Sequence, residues 1–300
     1  MQYVSPLRYP GGKGKMTDFL ARLIRDQRPR PTTYIEPFAG GAGAAVALLH
    51  LEVVDRIILN DLNRGIAQFW QSVFSQTEEL IHRIQTCDVS TNEWHRQREV
   101  YLSDSADGLD LAFAVFYLNR TNRSGILDAR PIGGLEQTGN WKIDARFNKK
   151  DLIERIENLG AYRHRVEITS EDGIDLMASF RDKKGASFFY IDPPYFGQGD
   201  ELYMNTLTWA DHSRLAKTIA GDKLRYWLLT YDADPRVETL YPKHRIASFS
   251  ISHTAAKQHV GMEYMVVSDL LNVVSLDGIS RRNGSWLERE SSVDDQPISV

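Results

Sequence analysis

Thr33-Tyr-Ile-Glu-Pro-Phe-Ala-Gly-Gly-Ala-Gly43 opens with a short apolar run that closes on an acid and breaks into a glycine-rich turn. The run reads as a buried strand, and the Ala/Leu-rich stretch from Gly40 to about Leu51 reads as the helix that follows it. Arg56-Ile-Ile-Leu-Asn60, ending beside Asp61, reads as the next strand, which completes a β-α-β unit of the kind that builds parallel sheets. Further strand signals fall at Val166–Thr169, Ser187–Ile191, Arg225–Thr230, Arg245–Ile251 and Glu263–Ser268. Between about 64 and 164 the spacing of apolar residues at three and four predicts helices over Ile66–Phe74, Glu78–Thr86, Glu93–Leu102 and Leu111–Leu118. The expected fold is therefore α/β, a parallel-rich sheet contributed by residues 1–64 and 165–275 and interrupted by a mostly helical insertion at 65–164. The polar stretch 276–300 is expected to be a flexible tail.

Glycines after a strand let backbone and ligand approach closely, and an acid at the end of the next strand suits ribose hydroxyls. Gly40 and Asp61 have about that spacing, which fits either a nicotinamide cofactor or S-adenosylmethionine. Gly11, Gly12 and Gly14 do not make a phosphate loop, since the spacing and the helix-opening Ser/Thr are missing. A second motif, Asp192-Pro-Pro-Tyr195, follows the strand Ser187–Ile191 and belongs at the same edge of the sheet. Two prolines remove two N–H donors and leave carbonyls beside the Asp192 carboxylate, an acceptor cluster that matches an amine. An exocyclic amino group donating to Asp192 and to the Pro193 carbonyl has its lone pair drawn out of conjugation and aimed at an electrophile. Tyr195 offers a face on which a flipped base stacks.

Three motifs taken together, Arg8-Tyr-Pro-Gly-Gly-Lys13, Glu36-Pro-Phe-Ala-Gly-Gly41 and Asp192-Pro-Pro-Tyr195, resemble those of the Dam-type DNA adenine-specific methyltransferases. Their order matches as well, with the cofactor motifs before the insertion and the catalytic motif after it, and the likeness runs to about residue 270. The resemblance implies a Rossmann-like, S-adenosylmethionine-dependent methyltransferase sheet whose helical insertion recognises duplex DNA. It implies that Asp192, Pro193, Pro194 and Tyr195 form the catalytic tetrapeptide, with Asp rather than Ser at its head pointing to the N6 amine of adenine. It implies cofactor contacts from Tyr9, Lys13, Glu36, Phe38, Gly40, Asp61 and Asp192, Lys13 toward the methionine carboxylate and Asp61 toward the ribose.

The segment Phe116-Tyr-Leu-Asn-Arg-Thr-Asn-Arg-Ser-Gly125 is expected to end a helix and put Asn119, Arg120, Asn122 and Arg123 in a turn. From Arg120 to Arg165 there are ten Lys+Arg against six Asp+Glu, a locally basic stretch suited to phosphate. The loop Pro131–Lys142 adds glycines, amides and Trp141, and Arg, Asn and Gln are groove readers. With the resemblance, Asn119, Arg120, Asn122, Arg123 and Lys142 become the candidate DNA contacts. Trp70 and Trp94 read as packing residues.

The whole chain of 300 residues carries 36 Lys+Arg and 40 Asp+Glu, a net charge of −4, which excludes a globally basic nucleic-acid coat. Its one cysteine, Cys87, cannot form an internal disulfide, so a reducing, cytoplasmic setting is expected, with nucleoid association through DNA. No run has signal-peptide or membrane-span character. His253 and His259 lack a recognisable completing ligand, and no metal is expected. The resemblance also implies a monomer, and leaves open a restriction endonuclease or other defence partner. Methylation of another nucleic-acid amine, RNA adenine or cytosine N4, and a non-catalytic DNA-binding regulator are the alternative readings. A nicotinamide oxidoreductase leaves the Asp192–Tyr195 motif and the basic insertion unexplained.

Overall fold

Every second side chain of a strand points the same way, so a sheet covered on both faces needs strands apolar throughout. β1 (Thr33–Glu36), β2 (Arg56–Asn60), β3 (Val166–Thr169), β4 (Ser187–Ile191) and β5 (Tyr226–Asp232) are the parallel strands of the sheet. A computed structural model describes residues 4–9, 13–180, 186–196, 207–221, 224–253, 259–280 and 284–288. Among these, β6 (Arg245–His253), β7 (His259–Val267) and β8 (Gly284–Trp286) complete one eight-stranded sheet in the order β3-β2-β1-β4-β5-β7-β6-β8. The last three pair antiparallel.

Tyr34, Phe188, Tyr190, Tyr226 and Leu228 face one apolar core, while Ile35, Phe189, Ile191, Trp227 and Leu229 face the other. The first is covered by α1 (Thr17–Asp26), α2 (Gly43–His50), α3 (Arg64–Ser75), α4 (Thr77–Thr86), α5 (Thr91–Leu102), α6 (Gly108–Thr121) and α7 (Lys149–Gly160). The second lies under α8 (Gly173–Ser179), α9 (Trp209–Ile219) and α10 (Pro235–Leu240). α3 to α7 form the helical segment expected between the strands. Phe69, Trp70, Phe116 and Leu152 from those helices join the same cluster as Tyr34 and Phe188, so the segment packs onto the sheet's own core.

Strand order turns back between β1 and β4: the chain steps outward through β2 and β3, then returns to lay β4 on the other side of β1. A crevice opens at the carboxyl ends of strands at such a point. It places the loop after Glu36 next to the loop after Ile191.

Three expectations need correction. The sequence from Ser252 to Gly261 also reads as a loop between two strands, but β6 runs to His253 and β7 starts at His259, so both ends of it are strand, His253 pairs with His259 across the ladder, and residues 254–258 lie outside the described residues. The polar tail begins with structure: Leu276 and Ile279 are buried, and β8 pairs Gly284, Ser285 and Trp286 with Phe249, Ser248 and Ala247. A three-residue edge strand with two exposed side chains has too little apolar signal to be read from sequence. β5 continues past Thr230 to Asp232. No helix among the described residues is long and apolar enough to cross a membrane.

Candidate active site

The loop after β1 is held from both sides. Gly40 has a left-handed φ of +46°, its N–H donates to Asp61 Oδ2 at 2.8 Å, and its carbonyl accepts from Trp70 Nε1 at 2.9 Å. The Tyr9 ring lies directly on the loop, so that a Cβ on Gly40 would sit 2.7 Å from Tyr9 Cζ and one on Gly41 2.8 Å from Tyr9 Cβ. Glycine is required there for φ and for room alike. Trp70, read as a packing residue, is buried and also fixes this turn.

Asp61 follows β2 and also accepts from the Asn63 N–H at 2.9 Å. Each carboxylate oxygen retains acceptor capacity for a hydroxyl donor. Burial pushes its carboxyl up to about 6, against the two backbone N–H donors. α3 is capped by Asn63, whose side chain accepts from Gly65 and Ile66, so Asp61 acts one step earlier. Glu36 ends β1 with its carboxyl buried, accepting from the Ala45 N–H at 3.2 Å; burial raises it to about 8. Phe38 packs against Gly173 at the start of α8. Asn60, which sequence reading passed over, uses both ends of its amide: it donates to the Pro37 and Glu171 carbonyls and accepts from Thr169 Oγ1 and the Glu171 N–H. Fully satisfied and buried, it ties the ends of β1, β2 and β3 together.

Asp192 leaves the end of β4 with its side chain 24% exposed. Its Oδ1 accepts from Thr230 Oγ1 at 2.6 Å and from the Tyr195 hydroxyl at 2.8 Å. Burial first, and then the charge of Asp192, hold the Tyr195 phenol well above its usual range, so it stays a donor. Pro193 is buried, and Pro194 and Tyr195 are half-buried. Phe196, next in the chain, sits against His212, which bonds to the Tyr231 hydroxyl, and under the Arg236 guanidinium at 4.3 Å. Burial lowers His212 to about 4, which leaves it neutral.

Lys13 arrives from a 3-10 turn and is buried. Its Nζ lies 3.0 Å from each Asp192 oxygen, 2.6 Å from the Tyr195 hydroxyl and 3.5 Å from Glu263 Oε2. The structure thus places Lys13 on the Asp192 carboxylate, a contact that the sequence reading, which set Lys13 toward the methionine carboxylate of the cofactor, did not name. The preceding Pro10, Gly11 and Gly12 lie outside the described residues. Thr230 and Glu263 were not foreseen, because neither stands in a motif.

The candidate DNA contacts divide. Asn119 and Arg120 are in the last turn of α6, not in a loop. Buried Asn119 accepts from the Arg8 N–H at 2.8 Å and donates to the Arg8 and Gly125 carbonyls. Asn122, also buried, accepts from Trp94 Nε1 at 2.6 Å and donates to the Ile126 and Leu127 carbonyls. Arg120 bonds the Arg146 carbonyl; burial, then the neighbouring Arg8 and Arg155, push it down to about 9. These three hold the end of α6 to the strip before Tyr9, where Gly125, at φ +79°, allows Arg8 to pass close. Arg123 and Lys142 are exposed, Lys142 with its Nζ on the Gln137 and Gly139 carbonyls, beside the 74% exposed Trp141.

Among the solved structures that are similar in part are those of two methyltransferases. One is a candidate RNA methyltransferase, PH1948 from Pyrococcus horikoshii, 10% identical, with 87% of this chain and 84% of that one covered at a TM-score of 0.38. The rRNA methyltransferase aviRa from Streptomyces viridochromogenes is 13% identical in one structure, over 83% of this chain and 82% of that one, at a TM-score of 0.32. Among curated proteins none matches. The model of the D12 class N6 adenine-specific DNA methyltransferases matches residues 9–260, and the chain belongs to that family.

Proposed function

We propose that this protein methylates the N6 amine of adenine at a short site in duplex DNA, taking the target base out of the stack to reach it. The observation that carries the reading is the Asp192 carboxylate, held by Thr230 and Tyr195 at the end of β4 and partly open to the crevice beside the Gly40 loop. An amine there donates to Asp192, and the nitrogen lone pair is freed for attack. When the N–C bond forms and the methyl carbon's bond to its donor breaks, the nitrogen becomes cationic and its excess proton passes to the carboxylate. Asp192 therefore needs only to orient and then receive.

The residues around the crevice fit S-adenosylmethionine: a glycine turn whose backbone is bare of side chains of its own and lies under the Tyr9 ring, an acceptor at Asp61, and apolar Phe38. That cofactor supplies a methyl group already activated on a sulfonium, so the protein's contribution is positioning and polarisation. Tyr195 provides the stacking face, and Arg123 and Lys142 are the cations offered to the phosphate backbone. The catalytic domain comprises 1–64 and 165–275, with 65–164 as the target-recognition segment, and the protein acts on DNA in the cytoplasm as a monomer.

Asp192→Ala is expected to lower methyl transfer by at least about 10²–10³-fold while S-adenosylmethionine binding stays measurable. Tritium incorporation into duplex DNA, RNA and adenine-free DNA is the check. Counts retained by the variant refute the assignment of Asp192, and counts in RNA alone move the substrate to RNA.

A further inference from the structure

Two acids, one buried and one partly open, share one buried ammonium at the active site. Side-chain exposure is 4% for Lys13, 0% for Glu263 and 24% for Asp192, so the open side belongs to Asp192 and the closed side to Glu263. Glu263 is fixed by register, facing Asp232 on β5 and Phe249 on β6. The donors on Asp192 are unequal: Oδ1 receives Thr230, Tyr195 and Lys13, while Oδ2 receives Lys13. Oδ1 is full, so an incoming amine must approach at Oδ2, where Lys13 already stands. Lys13 also neutralises the charge that would draw the amine's hydrogens. It has to withdraw, yet a buried ammonium that loses its partner is strongly penalised.

We propose that Glu263 is a positioning residue for methyl transfer: it takes over Lys13 when the target amine claims Asp192. This rests on the adenine-methylation reading. Closing the present 3.5 Å to an ordinary charged hydrogen bond requires a shift of under about 1 Å. The exchange keeps one carboxylate on the ammonium throughout, and Asp192 regains its free charge only when a substrate is there to use it. Burial raises the Glu263 carboxyl above the usual range, and the Lys13 ammonium acts against that shift.

The test is a double-mutant cycle read as kcat at saturating cofactor and duplex, on the full chain. Glu263→Gln keeps size and removes charge; it is expected to lower kcat about 10–100-fold with the cofactor Kd within about twofold of wild type. Glu263→Asp is expected to recover most of that loss. In a Lys13→Met background the same Glu263→Gln change is expected to alter kcat by less than about twofold, since no ammonium remains to be received. An unchanged kcat in Glu263→Gln, or an equal loss in both backgrounds, overturns the proposal. A structure of the wild-type protein with duplex and demethylated cofactor reads the exchange without any variant. Lys13 on Glu263 supports it, and Lys13 still on Asp192, or on the cofactor carboxylate, refutes it. Absence of DNA methylation by wild type defeats the functional reading itself, a different failure from wild-type methylation with Glu263 indifferent.

Discussion

Glu36 ends β1 with its carboxyl inside the protein, and burial moves it from 4.5 to about 8. Below about pH 4.5 the group is protonated both folded and unfolded, and it contributes no pH dependence. Between 4.5 and 8 the unfolded chain has released the proton while the folded chain still holds it, so stability falls as pH rises through that window. Glu36→Gln keeps the acceptor for the Ala45 N–H and removes the titration. Its melting temperature is expected to match wild type near about pH 5 and to exceed it near about pH 8, by roughly 2–4 °C for each kcal/mol recovered. Thermal melts across that range provide the check, and parallel curves for the two proteins would refute it. Asp61, raised to about 6 by burial, adds a smaller decline of the same sign.

At the scale of elements, the C-terminal end of α6 serves two purposes that separate by side chain. Arg120 bonds inward to the Arg146 carbonyl, whereas Arg123, three positions on, is exposed. Arg123→Ala is expected to weaken duplex binding several-fold and to reduce the slope of log K against log salt by about one, at unchanged melting temperature. Arg120→Ala is expected to leave that slope alone and cost about 1–3 kcal/mol of stability, since a carbonyl loses its partner. Fluorescence anisotropy across a salt series, with thermal melts, separates the two; interchanged results would reverse the assignment. The reason both arginines look alike in sequence is that a helix end is defined by which groups turn back to the protein. That choice depends on the Arg8 strip arriving from the other end of the chain.

At the scale of the molecule, the sheet ends on an edge guarded by three residues. β8 covers part of β6, and Trp286 lies over the Arg245 guanidinium at 5.1 Å. A chain ending at residue 280 leaves the β6 ladder open, and open edges pair with other chains. Such a chain is expected to aggregate sooner on warming, with methylation per folded molecule near wild type. Light scattering during a thermal ramp, alongside an activity assay, is the measurement; a truncated protein as soluble as wild type would show that β8 has no guarding role.

Much of this was written locally. The β1 turn and the Asp192 tetrapeptide are legible because strand, glycine and proline preferences act over a few neighbouring residues, and the parallel order follows from the β-α-β spacing. The helices of the inserted segment were legible for the same reason, from their three-and-four spacing. What the sequence could not show is who meets whom. Lys13 finds Asp192 across 179 positions and Thr230 finds it across 38, while Glu263 reaches the same ammonium only because β7 lies antiparallel beside β5 in one register. Asn119 and Asn122 have the chemistry of base readers, and burial turned them into clamps. Local propensity determined the elements and their motifs. Long-range strand order and packing decided which polar groups were desolvated together, and desolvation sets which of them must pair.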